Sequence, residues 1–440
     1  MRRNWYHLIT SYYPDALITD RTALENKPAE DGSVFLISEK GSETQLPGLT
    51  LRPRQGAGAI DNDKPFIGGA RLASTPRAYL ENMRASRARG GRVTRTLTRE
   101  ELEQRLDALL RTQGEGALNK LRDDARAIAP ELGLEAEYDA LNDLIGAFLG
   151  TREARAESDV GKARAAGQPF DPDRIVLFEA LFGALRDAIP APRPASAQGD
   201  EATANLAFFE AYFSNFIEGT EFSVSEAREI VFEGAIPSER PEDAHDVLGT
   251  FRIVSDAQDM SILPASADEL DALLRRRHAT LMQARPDKHP GIFKTKTNQA
   301  GSTVFVAPEL VNGTLERGFA FYRALEEPFQ RAVFMMMLVS EVHPFADGNG
   351  RTARIMMNAE LVAAGQERII IPTAYRTDYL GALKAFSKNG QAAPLIRMLD
   401  VAQSYTGMID WRTFESARAM LEDTNAFAEG ADAKLRIPKA

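Results

Sequence analysis

The segment HPFADGNGRTAR, residues 343–354, decides how this chain is read. It holds a histidine, an acid, an asparagine between two glycines, and two arginines, none of them a good core filler. The run before it, FQRAVFMMMLVSEV (329–342), is almost wholly apolar. The run after it, TARIMMNAELVAAG (352–365), returns to helical spacing. A polar, glycine-broken loop between two apolar helices is expected, and such loops are where function tends to sit.

The loop's residues suit phosphate. Gly348, Asn349 and Gly350 bring backbone N–H groups close to a ligand without a Cβ in the way. They stand just before a helix start, where unpaired N–H groups and the helix dipole favour anions. Arg351 and Arg354 are three apart, so they are expected to share one face near that helix end. Asp347 opposes a bare phosphate but fits one whose oxygens share a divalent cation with it. His343, at the far end of the loop, suits a general base for a nucleophile attacking phosphorus. Asn349 is expected to donate from its side chain to charged oxygens.

Working outward, helices are expected over 314–327, 328–342, 351–364, 377–386 and 393–405, with Gly365 closing the third. GIFKTKTNQAGSTVFVAP (291–308) has two β-prone arms about a glycine and reads as a hairpin. SVSE (223–226) and SADE (266–269) are capping-box patterns that open helices. Met335, Met336, Met337, Met356 and Met357 read as core filling, and LRRRHAT (274–280) as a solvated helix face.

At 440 residues the chain exceeds one typical domain. Residues 1–95 are mixed, with β-prone SVFLIS and ALIT, and STPRAYLENMRASRARGGR (74–92) reads as a basic helix closed by a glycine pair. A helical connector is expected over 96–189 and a domain-separating linker at PAPRPASAQGD (190–200). The main helical domain follows over 201–405, then a helical tail over 406–440. The fold class is mainly α, with a smaller mixed α+β N-terminal domain. A net charge of −10 argues against nucleic acid or an anionic membrane surface as partner. The absence of cysteine excludes disulfides, thiolate catalysis and cysteine metal sites. MRRNWYHLITSYYPDALITD has no continuous apolar core of a leader, and no run is long enough to span a bilayer, so a soluble cytoplasmic protein is expected.

Residues 343–354 fill all nine fixed places of the pattern His-Pro-Phe-x-(Asp/Glu)-Gly-Asn-Gly-Arg-x-x-Arg and so resemble the Fic (Fido) family. The P-loop alternative has no G-x-x-x-x-G-K-[ST] to support it. The likeness extends over about residues 204–405. It implies a helical Fic core and transfer of AMP from ATP to a Ser, Thr or Tyr hydroxyl, on a target protein or on the chain itself. In this resemblance His343 takes the hydroxyl proton and Asp347 holds Mg²⁺. Gly348, Asn349 and Gly350 cradle phosphates with Arg351 assisting, Arg354 grips the γ-phosphate, and Tyr379 lines the adenosine pocket. Residues 291–308 resemble the family's flap, with Lys294 where many members carry arginine. A protein substrate is then expected to dock as an added strand between Thr303 and Val306.

SNFIEG (214–219) resembles the family's inhibitory motif (Ser/Thr)-x-x-x-Glu-(Gly/Asn), which supplies Ser214, Glu218 and Gly219. The resemblance implies that Glu218 pairs with Arg354 and opposes the γ-phosphate. Other readings stay open: removal of AMP by water placed by this glutamate, phosphate transfer, or a nucleotide-sensing regulator that binds DNA or a partner. The first hundred residues, through SYYPDALITDRTALE, LPGLTLRP and STPRAYLENMRASR, loosely resemble the antitoxin component of bacterial abortive-infection systems. A homo-oligomer is compatible with all of these.

Overall fold

Strand-forming runs near the N-terminus build a six-stranded mixed sheet, seen in a computed structural model that describes residues 4–437 apart from 89, 154, 189, 431 and 432. The elements in chain order are α1 (Trp5–Tyr12), β1 (Leu17–Ile18), α2 (Asp20–Glu25), β2 (Ser33–Ile37), β3 (Thr44–Leu46), β4 (Leu49–Arg54), β5 (Lys64–Pro65), β6 (Arg71–Leu72) and α3 (Thr75–Met83). The strand order is β3-β4-β2-β1-β6-β5, with β2 parallel to β4 and antiparallel to β1. Strand β2, SVFLI, is buried along its whole length, which requires cover on both faces. Val34 and Leu36 pack with Trp5, Ile9 and Leu51 on one face, and Ile37 turns to Leu17 and Ala78 on the other. Helix α3 ends at Met83, short of the expected Gly90–Gly91 pair, because Arg84 is already extended.

Four helices follow: α4 (Arg99–Gln113), α5 (Glu115–Leu132), α6 (Glu135–Phe148) and α7 (Asp159–Ala165). Leu102, Leu106, Leu118 and Leu144 share one cluster with Tyr79 and Leu80 of α3. These helices are therefore the second layer of the N-terminal unit and not a separate connector. The chain divides at Pro169/Phe170, not at 190–200. The last residue of the expected connector, 189, lies outside the described residues.

The second unit opens with α8 (Pro172–Asp187), whose Phe178, Leu181 and Leu185 enter its main core. The expected linker is docked on this unit. Glu367 N donates to Arg193 O at 2.7 Å, Ala195 N donates to Gly365 O at 3.1 Å, and Arg193 pairs with Asp400 at 2.6 Å. Then come α9 (Asp200–Ile217), α10 (Val224–Arg228), α11 (Pro241–Val254), α12 (Ala257–Met260), α13 (Ala267–Leu281), β7 (Gln299–Ala300), β8 (Thr303–Val304), α14 (Val311–Arg323), α15 (Pro328–Val342), α16 (Asn349–Ala363), α17 (Arg376–Asn389), α18 (Ala392–Thr406) and α19 (Phe414–Asp423). The capping box forms at Ser223/Glu226. At the other pattern Ser266 caps α13, but Glu269 reaches back one residue further, to Ala265 N.

Helix α15 is apolar over most of its circumference and is buried over most of it. Every residue from Val333 to Val339 is at 0% exposure. The methionine run fills this core with Met356 and Met357 of α16. The hairpin is present but shorter than its sequence suggested, with two residues in each strand. Its first arm is taken up elsewhere: Phe293 joins the core and Lys294 N donates to Pro344 O at 2.8 Å. Among the described residues no helix is long and apolar enough to cross a membrane.

Candidate functional site

The buried helix α15 stops at His343, which takes the left-handed conformation (φ 52, ψ 58) with its N–H donating to Val339 O at 2.9 Å. A non-glycine residue there carries a backbone cost of roughly 1–2 kcal/mol. Pro344 explains the stop, since it disfavours a helical residue before it. The imidazole is thus held at the mouth of a rigid helix. Its Nδ1 lies 3.2 Å from Ser340 O, so that nitrogen carries the proton and Nε2 keeps its lone pair. The ring stacks on Phe305 of the hairpin at 3.7 Å between centroids and 6°. Burial, reinforced by the Lys294 charge, pushes the imidazole down to about 4. At neutral pH it is an unprotonated base.

The loop is fixed from within and from below. Asn349 closes it: Phe345 N donates to Oδ1 at 2.8 Å and Nδ2 donates to Phe345 O at 2.9 Å. This corrects the expectation that the Asn349 amide donates outward, because both its polar atoms hold the loop's own backbone. His278 of α13 supports the loop from beneath. It stacks on Phe345 at 3.7 Å and 1°, its Nε2 donates to Asp347 O at 3.0 Å, and its Nδ1 accepts from Gly291 N at 2.9 Å. His278 and Arg277 are buried, so LRRRHAT is not a solvated face. Sequence reading missed His278, although Leu270, Leu274, His278 and Leu281 share one buried helical stripe.

Gly348 (φ 71) precedes α16, so the helix starts at Asn349, two residues earlier than expected. A Cβ at Gly348 would meet Met282 Sδ at 2.8 Å. The N–H groups of Asn349, Gly350 and Arg351 form the first turn and point to the helix mouth. The two arginines part company there. Arg351 is buried and pairs with Asp246 of α11 at 2.8 Å, with Asn215 Oδ1 at 3.3 Å, and it does not line the cavity. The expected shared face and phosphate-assisting role for Arg351 are corrected accordingly. Its charge is neutralised inside the fold.

Arg354 faces the other way. Its Nε donates to Ser214 Oγ at 3.0 Å, and its Nη2 donates to Ser214 O and to Glu218 Oε1, each at 2.8 Å. Burial works against the guanidinium charge, and the Glu218 carboxylate and the Tyr379 hydroxyl together outweigh it and raise the pKa. Glu218 is the C-cap of α9, and Gly219 (φ 92) turns the chain away after it. The Glu218 carboxylate lies over the first turn of α16: a Cβ on Gly350 would meet Oε1 at 2.2 Å. The chain's own carboxylate therefore stands beside the anion-favouring mouth of this helix.

His343, Asp347, Gly350, Arg354 and Glu218 line one cavity of about 420 Å³, within the range of small-ligand sites. Hairpin residues 298–303 and Phe305 form one wall. Tyr379, Leu380 and Leu383 of α17 form an apolar wall, with the Tyr379 ring 6.0 Å from the Arg354 guanidinium. Lys294 is buried under the hairpin, where its Nζ donates to Asn298 Oδ1 at 2.8 Å, and burial pushes it down to about 7. Asp347 is exposed to the cavity. No group of three or more acidic or histidine ligands that could hold a metal occurs among the described residues. A lone carboxylate fits an ion that takes most of its ligands from phosphate and water.

Residues 269–361 match the Fic/DOC family. The chain is 28% identical over 200 residues to the protein adenylyltransferase fic-1 of Caenorhabditis elegans, covering 43% of this chain and 38% of that protein. It is 24% identical over 273 residues to the protein adenylyltransferase Fic of Drosophila grimshawi, covering 60% and 55%. It is 28% identical over 197 residues to that of Nematostella vectensis, covering 44% and 46%. The chain thus spans about half or less of the length of these curated relatives. Among solved structures, Fic-1 (residues 134–508) of C. elegans aligns at 19% identity and TM-score 0.41, covering 73% of this chain and 93% of that one. A Fic-domain signalling protein of Bacteroides thetaiotaomicron aligns at 17% and 0.42, covering 58% and 99%.

Proposed function

We propose that this chain is a protein adenylyltransferase held in check by Glu218. The observation that carries the reading is the meeting of a neutral imidazole, a helix mouth and a buried arginine in one cavity. In the proposed reaction an acceptor hydroxyl oxygen attacks the α-phosphorus of ATP. His343 Nε2 takes the hydroxyl proton, the α–β phosphoanhydride bond breaks, and pyrophosphate leaves. The acceptor keeps AMP as a phosphodiester. The first-turn N–H groups of α16 offset phosphate charge, as transfer of this kind demands. Arg354 orients the distal phosphates once Glu218 lets go. Asp347 is the residue to hold Mg²⁺, which would neutralise charge on the phosphates. Tyr379, Leu380 and Leu383 offer the apolar surface for the base.

The brake follows from position. Glu218 already neutralises Arg354 and adds negative charge where phosphate must sit. The acceptor side is the flap edge from Thr303 to Phe305, where Val304 is 56% exposed; its carbonyl is held by Arg174, which leaves its N–H to meet an incoming strand. Val306 drops out of that edge because it is fully buried. Glu218 also lines the same cavity as His343, which favours water-mediated removal of AMP as the second reading.

The test uses ATP labelled in the α-phosphate. Glu218→Gly protein should gain label on itself or on lysate proteins, and His343→Ala in the same background should abolish it. Phosphate in place of AMP by mass spectrometry, or no label on either, would remove the proposal.

A further inference from the structure

Arg174 lies on α8, outside residues 269–361, yet it reaches the cavity wall from behind. Its Nη1 donates to the Glu341 carboxylate and its Nη2 donates to Val304 O at 2.6 Å. Both Arg174 and Glu341 are buried. Glu341 stands two residues before His343 on α15, and its other oxygen accepts from Ser387 Oγ of α17. Val304 stands one residue before Phe305, whose ring lies on the imidazole. The hairpin register explains the reach. Phe305 N donates to Asn298 O at 3.1 Å, so the adjacent Gln299–Val304 pair turns its backbone groups outward, where Arg174 meets one.

We infer that Arg174 is a positioning residue for His343. With Glu341 on one side and Val304–Phe305 on the other, it closes a ring of contacts that fixes the plane of the imidazole and the height of the flap above it. The inference rests on the reading of His343 as the proton acceptor. The root of the flap is fastened separately, through Lys294 N to Pro344 O at 2.8 Å and Asn298 Nδ2 to Phe345 O at 2.9 Å. Loss of Arg174 therefore removes the outer tether of the Val304–Phe305 arm while its pairing to Asn298 and Gln299 keeps the hairpin attached.

The clamp can be read without turnover. Diethyl pyrocarbonate acylates accessible neutral imidazole nitrogens, and peptide mass spectrometry resolves each histidine. Arg174→Met should speed acylation of His343 about fivefold, since a side chain held by few contacts is sensitive to loss of one. Buried His278 should not change. Phe305→Ala should do the same while leaving Arg174 and Glu341 paired, and it guards against misfolding of the first variant. A His343 rate within about twofold of the parent in Arg174→Met overturns the inference, whatever Phe305→Ala does.

In the Glu218→Gly background, with dephosphorylated casein as acceptor, Arg174→Met should lower kcat about tenfold and leave the KM for ATP within about twofold. Arg174→Lys should recover part of the loss, because an ammonium serves one of the two partners. An unchanged kcat also overturns the inference. If the Glu218→Gly parent transfers no AMP to casein or to itself, the proposed activity fails, and the acylation rates still decide the clamp.

Discussion

The mouth of α16 has two sides, and the loop motif supplies both with the same residue types. On the buried side stand Arg351, paired with Asp246, Asn349, bonded to the loop backbone at Phe345, and, from α13, His278, bonded to Asp347 and Gly291. On the cavity side stand Arg354, Asp347 and His343. There an imidazole nitrogen keeps its lone pair, and an arginine is held by a carboxylate that is 35% exposed. A motif that reads as one functional unit is thus divided between residues that build the mouth and residues that can act in it. For the two arginines the division is made by partners far away in the chain.

That division can be broken from either side. The largest effect is expected from His343→Ala in the Glu218→Gly background. Transfer should fall by about 10²–10⁴-fold, the range of general-base loss, with a thermal melt close to that of the parent. Arg351→Met should do the reverse. It leaves Asp246 buried beside a neutral side chain, and removing one partner of a buried pair costs about 3–5 kcal/mol, so the denaturant midpoint should drop sharply. Arg285 also pairs with Asp246, at 2.9 Å, which places the cost toward the lower end. A normal midpoint with lost activity would place Arg351 on the acting side and erase the distinction.

His278→Asn should cost less, about 1–3 kcal/mol, because it strands Asp347 O or Gly291 N rather than a charge. It should also change the pH profile of stability. Burial holds both His278 and His343 at about 4, below their unfolded value of 6.5. Between those limits the unfolded chain binds protons that the folded chain does not. Stability should therefore fall as pH drops from 6.5 toward 4 and be fully present above 6.5. Thermal melts across that window should show a shallower slope in His278→Asn. An unchanged slope would contradict the assignment of a neutral, doubly bonded imidazole.

Much of this arrangement was legible in the sequence, and the parts that were not share a cause. The apolar run of α15 matches its expected bounds of 328–342 because its burial is written in consecutive residues. The hairpin's location was legible from its glycine and β-prone arms, but its short strands were not, since Lys294 N is claimed by Pro344 O fifty residues on. The separation of Arg351 from Arg354 depends on Asp246 and Ser214, both over a hundred residues upstream, which local spacing cannot express. The proline-rich stretch 190–200 looks like a linker by composition, yet its backbone bonds to Gly365 and Glu367. Composition reports what a segment does without partners, and here partners exist.

In the proposed function the α16 mouth binds the phosphates of ATP and Glu218 competes for the same place. Calorimetric titration of ATP with Mg²⁺ into His343→Ala and into His343→Ala/Glu218→Gly tests it without turnover. The second protein should bind ATP about tenfold more tightly or better, as expected when a close carboxylate is removed from an anion site. Equal affinities for the two proteins would contradict the account.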